Sequence, residues 1–114
     1  MVKDYKGTII EESLEDNRIM NDMEVVSMRI SRDEVPMNRW HLYTVHVSLQ
    51  DIGFLSQQIK SGWYMHFWRG NDVVVVFYDK TFMFAHDDPT SWEPAVRYGL
   101  AQGIPSEQLD FPIE

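Results

Sequence analysis

The sequence predicts a single small α+β domain over residues 1–114, with a mixed, mostly antiparallel sheet of about five to six strands and two main helices packed on one face. Three observations carry this expectation. Residues 63–86 read as three apolar segments separated by the short turn signals Gly70-Asn71 and Asp79-Lys80, the pattern of a three-strand meander. Leu49, Ile52, Leu55 and Ile59 recur at helical spacing behind a capping-box sequence, Ser48-Leu49-Gln50-Asp51. A length of 114 residues suits one hydrophobic core rather than two.

Taken in order, Lys6 to Ser13 reads as a first strand centred on Thr8, Ile9 and Ile10. Ser13-Leu14-Glu15-Asp16 has capping-box spacing and opens a short helix through Met20, ended by Asn21-Asp22. Glu24 to Arg32 alternates, with Val26, Met28 and Ile30 on one side and Ser27, Arg29 and Ser31 on the other, as a half-buried strand with one wet face does. Pro36 places a loop over 33–39. Trp40 to Val47 is the next strand, with His41, Tyr43, Val45 and Val47 on its more apolar side. The helix over 49–60 stops at Gly62. A strand, a helix of that length and another strand suggest a right-handed parallel crossover.

Trp63 to Arg69, Asp72 to Tyr78 and Thr81 to His86 form the meander. If both turns hold two residues, His66, Val75 and Phe84 lie side by side. One face then carries Tyr64, His66, Trp68, Val73, Val75, Phe77, Phe82, Phe84 and His86; the other carries Trp63, Met65, Phe67, Val74, Val76, Tyr78, Thr81, Met83 and Ala85. Both faces are mainly apolar, so both need cover. Thr90 and Ser91 are N-cap candidates for a helix over 91–101, Pro94 fits its first turn, and Gly103 ends it. Pro105 to Gln108 reads as one further turn, and Leu109, Phe111 and Ile113 pin the tail to the body.

The formal net charge is −8, distributed as −4 over residues 1–38, +1 over 39–85 and −5 over 86–114. No segment is basic enough to release counterions from a phosphate backbone or to sit on an anionic lipid surface, so neither nucleic acid nor a membrane is expected as a partner. The longest apolar run, Val73 to Tyr78, is far shorter than the ~20 residues of a spanning helix. The first residues contain no apolar stretch, so a signal peptide is not expected, and the chain has no Cys. Both point to a cytoplasmic, reducing setting, and the missing Cys removes thiol catalysis and thiolate metal sites.

The four histidines, His41, His46, His66 and His86, are the natural candidates for chemistry. None is spaced from another as a local metal motif requires. His41 and His46 differ in parity, and His66 and His86 share a face but lie on the order of 12 Å apart, too far for one zinc ion. No metal and no cofactor are expected. Glu11-Glu12 and Glu15-Asp16 read as solvated acidic surface, and His86-Asp87-Asp88 as a turn. There is neither a Gly-x-Ser-x-Gly elbow nor a Gly-rich phosphate loop.

One constellation stands apart. Tyr64, His66, Trp68, Phe84 and His86, with Arg69 at the strand end, mix rings and imidazoles on an otherwise apolar face, the composition of a ligand- or partner-binding surface. The competing reading is a second core layer under the N-terminal segment. The expected function is a non-catalytic binding or interaction module, taking a small-molecule ligand or pairing as a homodimer through this face. The alternative is a small metal-independent hydrolase or lyase with a His general base oriented by a carboxylate. Composition and spacing single out no catalytic residue.

Overall fold

A computed structural model of the chain describes residues 2–113. The strands are β1 (Tyr5–Ile10), β2 (Glu24–Ile30), β3 (His41–Val47), β4 (Met65–Arg69), β5 (Asp72–Phe77) and β6 (Lys80–Ala85), and the helices are α1 (Leu49–Ser56) and α2 (Glu93–Ala101). The α+β class stands. The strands form one six-stranded sheet in the order β2-β3-β1-β4-β5-β6, and every neighbouring pair is antiparallel.

The expected parallel crossover is present, but its two strands are not neighbours. β3 and β4 do run in the same direction across α1, but β1 lies between them and pairs with both. Gly7 is what lets β1 fit there. It sits opposite Phe67, and a Cβ at this position would lie 2.4 Å from the Phe67 ring and 2.5 Å from the His66 carbonyl oxygen.

The two helices, expected on one face, lie on opposite faces. α1 brings Ile52 and Leu55 to a first core with Tyr5, Ile9, Val45, Val47, Phe67, Val74 and Val76. α2 and the tail bring Ala95, Leu109 and Phe111 to a second core with Trp68, Val73, Val75, Phe77 and Phe84. The reason lies in β5. Its valines and Phe77 are almost fully buried on both sides, so each side demands its own cover. At roughly 25 cal/mol per Å² of apolar surface, leaving either side wet would cost more than a small domain can spare.

Local chemistry explains the element ends. α1 opens with a complete capping box: Asp51 N donates to Ser48 Oγ at 3.1 Å, and Ser48 N donates to Asp51 Oδ2 at 3.0 Å. The helix expected from Ser13 is instead a 3-10 turn over Asn17–Asp22 capped by Asp16, while Ser13 Oγ donates back to the Ile10 carbonyl at 2.6 Å. The segment expected to be a half-buried strand, β2, is exposed along its whole length, because it is a sheet edge that neither helix reaches.

The meander keeps its predicted faces but not all of its register. His66 pairs with Val75 as expected, whereas Val75 pairs with Phe82 and Phe84 with Val73. The second turn is Tyr78-Asp79 rather than Asp79-Lys80, with Asp79 in the left-handed region at φ 56°. The resulting shift is two residues, an even number, so no side chain changes face.

Candidate functional site

The second core draws no residue from β1, β2 or β3. Where its cover ends, the sheet surface steps down into a cleft of about 330 Å³. Thr8 and Ile10 of β1 border it. His66 comes from the start of β4 and Tyr64 from the position just before that strand, Trp40 and Trp63 from the loops preceding β3 and β4, and Ile104 and Gln108 from the segment after α2.

The aromatic members are held from behind. The Trp40 and Trp63 rings meet edge to face at 5.2 Å. The Tyr64 and His66 rings stack at 6.3 Å, and each also meets the Phe111 ring edge-on, at 5.7 and 6.0 Å. Tyr64 Oη donates to the Gln108 carbonyl. Burial, with the charge of Asp110 added, pushes the Tyr64 hydroxyl up to about 12, so it stays a donor throughout the accessible pH range.

His66 Nε2 lies 2.7 Å from the Pro112 carbonyl oxygen. A carbonyl accepts only, so Nε2 carries the proton and the neutral ring keeps an acceptor at Nδ1. Among the described residues none hydrogen-bonds Nδ1. Burial pushes the His66 pKa below the ordinary histidine value, so the neutral ring is the resting form at neutral pH.

Of the residues singled out in the sequence, Tyr64 and His66 line this cleft. Trp68 and Phe84 are buried in the second core, Phe84 against the rings of Phe111 and Trp92 at 5.2 and 5.7 Å. His86 packs on Trp92 at 5.3 Å. Arg69 lies at the far end of β4, paired with Asp4 at 3.1 Å and Asp72 at 3.2 Å. The face expected to await a second copy is therefore covered by the chain itself, through α2 and the C-terminal tail rather than the N-terminal segment. Thr8, Trp40, Trp63, Ile104 and Gln108 were not legible as site residues, because they meet only once β1 is inserted beside β4.

A separate polar cluster forms where β1 ends. His41 Nδ1 lies 2.8 Å from Glu12 Oε2, and His41 N donates to Glu12 Oε1 at 2.8 Å. Tyr43 Oη donates to Glu11 Oε1 at 2.7 Å. Hydrogen bonding to Glu12 pushes His41 up, and bonding to Glu11 pushes Tyr43 up. Partial burial would raise Glu12, but hydrogen bonds from His41 hold it below the ordinary carboxylate value. Glu11, Glu12 and His41 offer donor atoms within 4.8 Å of one another. Those donors are already engaged: the Glu12 oxygens by His41, and the Glu11 oxygens by Tyr43 and by Asn17 Nδ2 at 3.2 Å. The sequence reading of Glu11-Glu12 as plain solvated surface missed this arrangement, which depends on β3 lying next to β1.

Among the described residues no helix is long and apolar enough to cross a membrane. Comparison with known proteins brings no significant match to a family model, a curated protein or a solved structure.

Proposed function

We propose that the protein is a binding module for a small, flat, largely apolar molecule carrying one hydrogen-bond donor, taken up in the Trp40–Trp63–Tyr64–His66 cleft. The observation that supports this reading is the grouping of four aromatic side chains around one cleft, with His66 Nδ1 left without a hydrogen-bond partner among the described residues. A volume of about 330 Å³ is at the lower end of the range for small-molecule sites, which are mostly apolar with a few placed polar groups. The rings offer stacking surface, and Nδ1 selects a ligand with an N–H or O–H. The catalytic alternative has one feature in its favour, the His41–Glu12 contact, but neither residue lines the cleft.

A titration of the full chain with 2-naphthol, followed by amide and indole N–H NMR, tests the reading. The chain has four Trp, so four indole signals report separately. Saturable shifts at Trp40 and Trp63, with Trp68 and Trp92 unmoved, are expected. 2-Methoxynaphthalene keeps the rings and lacks the O–H, and should bind about fivefold more weakly than 2-naphthol. Absence of saturation, or shifts centred on Trp92, would overturn the proposal.

A further inference from the structure

β2 is a sheet edge whose residues are all exposed, and its apolar side chains stand in solvent: Val26 is 56% and Met28 51% accessible. An edge strand offers a row of unpaired N–H and C=O groups to another strand. We propose that β2 is a self-association edge, at which two copies pair antiparallel about a twofold axis passing between Val26 and Ser27.

The bulge in β2 selects this register. Val25 pairs with Val45 and Ser27 with Thr44 on the next strand, so Val26 is an extra residue. Directly paired residues share a face. Val25 and Met28, opposite Val45 and Tyr43, therefore lie on the face of the first core, whereas Glu24, Ser27 and Arg29, opposite His46, Thr44 and Leu42, lie on the other. Two β2 strands can run six pairs in step with faces matched only if the bulges oppose each other. Glu24 then meets Arg29 of the second copy, Val25 meets Met28, and Val26 meets Ser27, each twice.

This register is chemically self-complementary, as a twofold interface must be. It makes two Glu24–Arg29 pairs and two apolar Val25–Met28 pairs. Among the described residues neither Glu24 nor Arg29 has an ion-pair partner within its own chain. Residues 24–32 carry Glu24, Arg29 and Arg32, a local balance of only +1 in a chain of −8, so the edge lies away from the bulk of the negative charge and the two Glu24–Arg29 pairs oppose its small residual repulsion.

Sedimentation equilibrium of the full chain without ligand decides the matter. The weight-average mass should rise with concentration from 13.5 kDa towards twice that value. Glu24→Arg and Arg29→Glu each place like charges opposite each other at two positions, and each should weaken association about tenfold or more. An equimolar mixture of the two variants restores both pairs, so it should associate as the unmodified chain does. Both sites are exposed, and far-ultraviolet circular dichroism verifies that the variants fold. A mass that stays at 13.5 kDa up to about 500 μM would overturn the proposal. A mixture that remains as weak as its components would overturn the register. Neither outcome bears on the cleft, because no ligand is present.

Discussion

His66 Nε2 donates to the Pro112 carbonyl at 2.7 Å, so a neutral imidazole on β4 latches the C-terminal tail over the second core. The same ring forms one side of the cleft. Tail position and cleft shape are thereby tied to the placement of one side chain.

The pH dependence follows with a definite sign. Burial pushes His66 below its unfolded value of about 6.5. Between the two values the unfolded chain binds more protons, so stability falls as pH drops from about 6.5 through the folded pKa, and it is fully present above. His41 behaves oppositely. Its pKa is raised by Glu12, so its contribution is present below about 6.5 and is lost as pH rises through its folded value. Ring NMR titration should place the His66 midpoint below and the His41 midpoint above the ordinary value, and Glu12→Gln should return His41 alone. A His66 midpoint at or above the ordinary value would mean that the latch is open to water.

Beside the His66 hydrogen bond, the tail is anchored by Phe111. Phe111 is fully buried and meets the rings of Tyr64, His66, Phe84 and Trp92. Phe111→Ala should destabilise the fold by about 3–5 kcal/mol in urea denaturation, the range for a buried phenylalanine. A cost under about 1 kcal/mol would indicate that the tail contributes little to the second core.

The glycines at β1 and α2 should respond differently to the same change. At Gly7 a Cβ meets main chain, the His66 carbonyl oxygen at 2.5 Å, which cannot move without displacing β4. Gly7→Ala should cost about 2 kcal/mol or more. At Gly99 the nearest atom is the tip of Leu109 at 2.8 Å, which can rotate, and alanine gains roughly 0.5–1 kcal/mol within a helix. Gly99→Ala should be close to neutral. Thermal melting of the two variants checks the contrast, and equal costs would contradict it.

Tyr5 carries a buried hydroxyl that has no hydrogen-bond partner among the described residues, while Arg69 lies over its ring at 4.8 Å. An unpaired buried hydroxyl is a cost that its removal relieves. Tyr5→Phe should be neutral or stabilising by up to about 1 kcal/mol in denaturant titration. Destabilisation beyond that would reveal a buried water on the hydroxyl.

Much of the fold is written in short-range pattern. Alternation along residues 63–86 assigned the paired meander side chains to their correct faces, even though the second turn begins one residue earlier than Asp79-Lys80 and takes Tyr78 out of the strand, because a pairing shift of two leaves parity intact. The Ser48–Asp51 capping box announced α1, and Leu109 and Phe111 pin the tail as their apolar character suggested. These features depend on neighbours a few residues away. What the tertiary structure alone decided is non-local. β1 inserts between β3 and β4 because Gly7 leaves room for Phe67. α1 and α2 separate to opposite faces because β5 is apolar on both. Those two events leave β2 uncovered and bring Thr8, Trp40, Trp63, Tyr64 and His66 around one cleft. Periodicity specifies which face of an element is apolar; which element covers it is settled only when the whole chain competes to bury the same surface.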